Sequence, residues 1–423
     1  MFFATFARLI EMGLFFMDQS NTELILIRIT GEDRPGLTAS ITEILAKYDA
    51  AILDIGQADI HNTLSLGILC MTDEDKSGFL MKDLLFKASS LNVRIGFYPV
   101  SSKEYDDWVG LQGKNRYILT LLGRQLTARQ IAAVTGILAE QGMNIDAIKR
   151  LTGRIPLHEQ NSKSKACIEL SVRGTPRDRA YMQEQLMKLA SELDMDFSLQ
   201  QDNMYRRMRR LICFDMDSTL IETEVIDELA MRAGVGDQVK AITERAMRGE
   251  IDFTESFRER VALLKGLDES VMQEIAENLP ITEGVDRLMF VLKKYGYKIA
   301  ILSGGFTYFG KYLQQKYGID YVYANELEIV DGKLTGRYLG DVVDGKRKAE
   351  LLRLIAQVEK VDIAQTIAVG DGANDLPMLG IAGLGIAFHA KPKVVANAKQ
   401  SINTIGLDGV LYFLGFKDSY ITM

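Results

Sequence analysis

LICFDMDST, residues Leu211–Thr219, sets four apolar side chains in a row and ends them in two aspartates one residue apart. An unbroken apolar run of this kind reads as a strand buried on both faces, as inside a parallel sheet. The pattern occurs twice more. Lys298–Leu302 runs into SGG (Ser303–Gly305), and Thr366–Val369 runs into GDGAND (Gly370–Asp375). Helical spacing fills the intervals, so this half of the chain is α/β, a parallel sheet with crossover helices. Ligands of open α/β sheets lie beyond the carboxyl ends of the strands. Three polar clusters at three such ends predict one shared site. An insertion over about residues 224–283, mostly helical in spacing, is expected to cap it. A hairpin is expected at Leu327–Val330 and Lys333–Gly336, because Asp331-Gly332 suits a two-residue turn.

Upstream of Arg210 the periodicity changes and repeats. Leu24–Ile29 alternates as a strand, and Gly36–Tyr48 carries Leu37, Ile41, Ile44 and Leu45 at helical spacing. Strands at Ile52–Ile60 and Leu64–Met71, a helix at Phe79–Leu91 and a strand at Val93–Val100 follow. The second copy has strand Tyr117–Leu122, helix Ala128–Gln141, strands Ile145–Leu151 and Ala166–Val172, helix Arg179–Leu193 and strand Asp196–Gln200. Each is a βαββαβ unit, a ferredoxin-like module. Ser101–Asn115 is polar and reads as a linker, and His158–Lys165 as a loop. The expected domains are 21–101, 116–202 and 210–423, behind a surplus extension over 1–20. Arg8 and Glu11 interrupt that extension, and Met17 offers an alternative start. It is shorter than the ~20 apolar residues needed to span a bilayer and has no signal-peptide leader.

Composition narrows the function classes. The 423 residues are 47% hydrophobic and 25% charged, with a net charge of −7. That balance belongs to a globular protein and gives nucleic acid or an anionic membrane no global attraction. Arg206, Arg207, Arg209 and Arg210 are the one basic cluster, read as a solvated linker ahead of a buried strand. Cys70, Cys167 and Cys213 lie far apart in apolar runs, as buried thiols of a reducing, cytoplasmic compartment do. His61, His158 and His389 are too scattered for histidine catalysis or a zinc site.

The polar clusters carry oxygen chemistry. Ionised carboxylates are costly to bury, so Asp215 and Asp217 at a strand end call for a metal or a reaction, or else for a helix cap at Asp217-Ser218-Thr219. Asp371 and Asp375 add two more. Magnesium prefers hard oxygen ligands, and Asp215, a backbone carbonyl near Asp217, and Asp371 would suit it. Ser303 and Gly304 offer a hydroxyl and a close-approaching backbone. Lys348 opens the helical run KAELLRLIAQ, where an ammonium and a helix amino terminus both favour phosphate.

DMDSTLI, SGG, Lys348 and GDGAND, in this order, resemble the four motifs of the haloacid dehalogenase-like phosphohydrolases, over about Arg210–Asp408. The resemblance implies a Rossmann-like core with a helical cap, a nucleophile at Asp215 and a general acid and base at Asp217. Asn374 would position phosphate, and Asp375 would ligate or orient the metal. More narrowly, DMDSTLIETEVIDELA, AMRGEIDFTESFRERVALLKG and ILSGGF are similar to phosphoserine phosphatases. That implies hydrolysis of O-phospho-L-serine in L-serine biosynthesis through an aspartyl-phosphate. Glu224 would meet the substrate ammonium and Arg260 its carboxylate, with Met247 and Phe253 shaping the pocket. GEDRPGLTASITEIL (Gly31–Leu45) resembles the first turn and helix of ACT domains, which bind amino acids and often form dimers. An effector such as L-serine is then expected near Asp33, Gly36 and Leu37, and a homodimer as the assembly. The second unit departs, with GRQLTARQ in place of EDRPGLTA and Thr127 opposite Gly36. Phosphoryl transfer to another alcohol such as homoserine, action on another small phosphate ester, or a ligand sensor with a degenerate catalytic half are the alternatives.

Overall fold

A computed structural model describes residues 21–111 and 115–421, and the extension expected over 1–20 lies outside the described residues. The chain divides into two compact units, Met1–Gly113 and Lys114–Met423. In the first, β1 (Thr22–Glu32), β2 (Ala51–Ile60), β3 (Thr63–Asp73) and β4 (Arg94–Val100) form an antiparallel sheet in the order β2-β3-β1-β4. Alternate residues Ile25, Ile27 and Ile29 of β1 meet Leu37, Ile41 and Leu45 of helix Leu37–Lys47 in one core. Leu80 and Leu84 of helix Glu74–Ser90 complete it. The period-two and period-four patterns thus converge on one layer, each fully buried Leu or Ile contributing roughly 1.5–3 kcal/mol.

Two local expectations are corrected here. Ser102–Val109, read as linker, is a helix, because Ser101 and Glu104 close a capping box at its start. The helix expected over Gly36–Tyr48 runs Leu37–Lys47, and Gly36 is its N-cap, with φ 87, a left-handed conformation that a Cβ disfavours.

The second unit continues with β5 (Arg116–Gly123), β6 (Asn144–Arg150), β7 (Ala166–Arg173) and β8 (Asp196–Gln201), backed by helices Ala128–Glu140 and Arg179–Glu192. Then come β9 (Leu211–Phe214), β10 (Lys298–Phe306), β11 (Tyr321–Val330), β12 (Lys333–Leu339), β13 (Thr366–Gly370), β14 (Leu384–Phe388) and β15 (Gln400–Ile402). All belong to one eleven-stranded sheet in the order β12-β11-β10-β9-β13-β14-β15-β8-β5-β7-β6. The portion from β11 to β15 is parallel, and β12 adds an antiparallel edge through the expected turn, with Asp331 at φ 51 and Gly332 at φ 74. At the other end β15 pairs antiparallel with β8 at Ser401 and Phe197, so the second βαββαβ module extends the catalytic-half sheet.

Charged groups reinforce that join. The nearly inaccessible Asp408 carboxylate accepts two 2.6 Å bonds from Lys165 Nζ and one of 2.8 Å from Arg287. Arg287 also reaches Asp418 at 2.6 Å, and Asp418 accepts the Gly153 N–H at 2.7 Å. Arg124 grips Glu283 with two bonds, of 3.0 and 2.7 Å. The arginine cluster is used internally as well. Arg206 pairs with Glu169 at 2.8 Å, Arg207 with Asp202 at 3.2 Å, and buried Arg209 donates to Gln200 at 2.8 Å.

Four helices fill the insertion: Val225–Arg232, Gly236–Met247, Phe253–Ala262 and Ser270–Glu277. Its two connections meet, since Ile221 bridges Ile281 and Glu222 N–H donates to Pro280 O at 2.8 Å. Cys70, Cys167 and Cys213 are buried and unbonded to each other. Among the described residues no helix is long and apolar enough to cross a membrane.

Candidate active site

β10, β9 and β13 are neighbours, and their registers set Ile301 and Val369 opposite Phe214. Whatever follows each strand is therefore delivered side by side. The Asp215 N–H continues the ladder to Val369 O at 2.9 Å. Its carboxylate accepts the Met216 N–H at 2.8 Å and meets Lys348 Nζ at 2.9 Å. Lys348 lies one turn inside helix Gly345–Val358 rather than at its first residue, because Asp344 caps that helix through the Arg347 N–H at 2.7 Å. On its other side the ammonium meets Asp375 at 2.7 Å. Burial alone would lower the Lys348 pKa, but the Asp215 and Asp375 carboxylates outweigh it and hold the lysine charged.

Asp371 completes a cluster in which carboxylate oxygens of Asp215, Asp371 and Asp375 lie within 4.8 Å of one another. Burial first, then the charge of Asp215, pushes Asp371 up to about 8 and Asp375 up to about 7. Such shifts mark a site short of positive charge. A hard divalent cation fits that deficit and that donor set. Both oxygens of Asp375 are already engaged, one by Lys348 and one by the Gly372 N–H at 2.9 Å. Asp375 is therefore better placed to orient than to ligate. A Cβ at Gly370 would sit 2.3 Å from Asp375 Cγ, which is why that position is glycine. Asn374 stands in the same loop, its side-chain oxygen 2.2 Å from where a Gly372 Cβ would be.

Asp217 is not among the three carboxylates of this cluster. It accepts the Val225 N–H at 3.2 Å, and its other oxygen lies 2.3 Å from where a Gly305 Cβ would be. Burial, followed by the charges of Glu224 and Asp215, raises its pKa well above the ordinary carboxylate value. Ser303 and Gly304 occupy not a turn after the strand but the strand itself, since β10 runs on to Phe306 with a register shift after Leu302. That shift takes the SGG backbone out of the regular ladder with β11.

From the insertion, Phe253 lies over SGG, its Cζ 2.9 Å from where a Gly304 Cβ would be. Met247 ends its helix, and its side chain lies outside the described residues. Glu224 is exposed to the cleft and accepts the Ser218 hydroxyl at 2.8 Å. Surrounding atoms and the charge of Asp215 raise its pKa, while Arg260 opposes the rise. Arg260 itself is pulled down by burial and held up by Glu224 and Asp227. One anion and one cation of the insertion thus feel each other's charge without forming a direct ion pair. Sequence reasoning missed Asp227, Thr219, whose hydroxyl reaches Asp371 at 3.5 Å, and Asn325, which bonds Gly304 O at 2.8 Å. Asp227 and Thr219 sit beside recognised motifs, which was a usable signal. Asn325 is a lone amide with no pattern around it.

Asp33, Gly36 and Leu37 lie in the other unit. Leu37 is buried in its core, so only its backbone is available, and a Cβ at Gly36 would meet no atom within 4 Å. The matching helix of the second module starts with a closed capping box between Thr127 and Gln130, so its first amides are partly satisfied from within.

Fold and cleft together define a hydrolase of the α/β class with an inserted cap and two amino-terminal βαββαβ modules. Family models agree: residues 212–380 match the haloacid dehalogenase-like hydrolase model, and 23–98 and 116–200 each match an ACT domain model. A phosphoserine phosphatase of Streptomyces coelicolor is 39% identical over 402 residues, 94% of this chain and 93% of that protein. One of Mycobacterium tuberculosis is 39% identical over 393 residues, 92% of this chain and 93% of that protein. A crystal structure of a probable phosphoserine phosphatase from Vibrio cholerae superposes with a TM-score of 0.56 at 38% identity, covering 70% of this chain and 86% of that one. The chain belongs to the phosphoserine phosphatase family.

Proposed function

We propose that the protein hydrolyses O-phospho-L-serine to L-serine and phosphate, with Asp215 as nucleophile, Asp217 as proton donor and acceptor, and magnesium as the metal. The observation that carries this reading is the division of the carboxylates. Asp215 is held beside Lys348, while Asp217 is buried among other carboxylates with its pKa raised, the environment that suits a proton donor. An Asp215 oxygen attacks phosphorus and the bond to the serine oxygen breaks, with the Asp217 proton passing to that oxygen. Asp217, now ionised, takes a proton from water as it attacks phosphorus, which releases phosphate and restores Asp215. Lys348 and the Ser303-Gly304 segment neutralise phosphoryl oxygens.

Asp215 and Asp371, with the backbone carbonyl of Asp217, would hold magnesium, and Asp375 would orient its shell. When bound, the ion supplies charge neutralisation at the phosphoryl group. Glu224 takes the substrate ammonium and Arg260 its carboxylate, with Phe253 and Met247 beside them. Within the same reading, L-serine is the effector of the first module near Asp33, Gly36 and Leu37, the assembly is a homodimer, and the free buried cysteines suit a cytoplasmic setting.

The test is phosphate release from O-phospho-L-serine by metal-stripped protein before and after magnesium is returned, in the wild type and in Asp371→Ala. Turnover is expected only with the ion, and the variant should need more of it. Equal turnover by thoroughly stripped protein would remove magnesium from the mechanism. No turnover under any condition would remove the substrate.

A further inference from the structure

Asn325 is 2% exposed and sits where β11 pairs with Phe306, the last residue of β10. Both halves of its amide are used. Nδ2 donates to Gly304 O at 2.8 Å, and Oδ1 accepts the Val343 N–H at 2.8 Å. Only this orientation satisfies both partners, because one offers a lone pair and the other a proton.

In a trans peptide the C=O and the following N–H point opposite ways. Holding Gly304 O therefore fixes where the Gly305 N–H points, and it points to Ser303 Oγ at 2.9 Å. Ser303 is fully buried, and among the described residues its hydroxyl proton has no protein acceptor. With a lone pair filled by Gly305, that proton is the group left to meet an anion. Gly305 also lies against Asp217, so the hydroxyl is presented beside the proposed acid. The bond to Val343 ties the same amide to the segment entering helix Gly345–Val358, which carries Lys348.

We propose that Asn325 is a positioning residue for phosphate recognition. It locks the Gly304–Gly305 peptide so that Ser303 offers its proton to a phosphoryl oxygen, and it sets that hydroxyl in register with Lys348. The inference rests on the phosphatase reading above. An alanine here would leave Gly304 O free to rotate and Val343 N–H unpaired. An ionised aspartate would keep the Val343 bond and repel Gly304 O.

Asn325→Ala is expected to lower kcat on O-phospho-L-serine by on the order of 100-fold, the scale of losing one preorganised donor. Inhibition by inorganic phosphate should weaken by about 10-fold, as for one charge-assisted hydrogen bond. Thr307→Val is the control, because it removes a bond of 3.1 Å from the residue just after β10 to Ala324 O of β11 without touching Gly304. It should lower the melting temperature yet keep wild-type kcat and phosphate inhibition. Should Asn325→Ala not fold, Asn325→Asp keeps the shape. A carboxyl facing a carbonyl holds its proton to higher pH, and the protonated form donates again. Its kcat relative to wild type should rise as pH falls, and a ratio both flat and low overturns the proposal. So does a folded Asn325→Ala with wild-type kcat and phosphate inhibition. If Asp215→Asn is inactive in that same experiment, the phosphatase reading survives that failure. A wild type inactive on O-phospho-L-serine would instead sink the reading itself.

Discussion

Asp215 stands among like charges, with Asp371 and Asp375 within 4.8 Å and a single ammonium, Lys348, at 2.9 Å. Replacing it by asparagine removes a charge from a crowded anionic cluster and leaves Lys348 paired with Asp375. Asp215→Asn is therefore expected to cost no stability while losing at least about 1,000-fold in turnover, since an amide cannot form the acyl phosphate. Thermal melting beside phosphate release checks both halves, and near wild-type turnover by clean protein would refute the nucleophile assignment. The proposed role of Arg260 is a different one. It lies on an insertion helix, and the charges of Glu224, Asp227 and Asp217 act on it. Arg260→Ala should lower kcat/KM for O-phospho-L-serine by about 100-fold, the loss of a charged hydrogen-bonded pair, and hardly affect an aryl phosphate that lacks a carboxylate. Equal losses on both substrates would assign Arg260 to folding or to phosphate.

Helix starts distinguish the two modules at the level of elements. Helix Leu37–Lys47 begins at a glycine with φ 87 and no side-chain cap; the Leu37 N–H reaches Arg34 O at 3.3 Å, and a Cβ at Gly36 would meet open space. Helix Ala128–Glu140 begins at Thr127, whose capping box with Gln130 occupies the equivalent position. A bulky residue at Gly36 is a poor probe of ligand binding, because left-handed backbone alone costs a residue with a Cβ roughly 1–2 kcal/mol. Asparagine tolerates that conformation best. Gly36→Asn should melt close to wild type and yet lose calorimetric binding of L-serine, as its side chain fills the space above the amides. Undiminished binding would move the effector site elsewhere. The periodicity of these helices and of β1 and β3 was legible in the sequence because each buries one face only. The Ser102–Val109 helix was not, since its stability comes from its cap rather than from a buried stripe.

Across the whole second unit, the sheet and its ion pairs make the second module part of the catalytic fold. Removing everything before Arg210 would strip β8 from β15 and take Lys165 from Asp408. A chain beginning at Asn115 keeps both contacts. It is expected to retain phosphatase activity and unfold in one transition, whereas a chain beginning at Arg210 should melt lower or aggregate through the bared β15 edge. Similar melting of the two would show that the join contributes nothing. Asp408→Ala, in the full chain, leaves Lys165 without its partner and Arg287 with one fewer. It should destabilise this unit by about 3–5 kcal/mol in denaturant titration. A loss near that of a surface pair would mean water reaches the site. These truncations also refine the test of feedback, because an effect that belongs to the first module should vanish in the chain beginning at Asn115 while catalysis remains.

By itself the sequence determined the strand ends and the chemistry waiting at them. LICFDMDST, SGG and GDGAND are local signals: apolar runs commit to a buried parallel sheet, and the residues that follow must emerge at its carboxyl edge. The order of the modules was equally local, being written in periodicities of two and of three to four. Tertiary structure alone decided that β8 and β15 are neighbours, that Asp408 is reached from Lys165, and that Asn325 holds the Gly304 peptide. Each of these joins residues 20 to more than 200 positions apart through a single amide, carboxylate or strand edge. No repeat or spacing records such a contact, because its energy depends on a geometry that exists only once the sheet has closed around it.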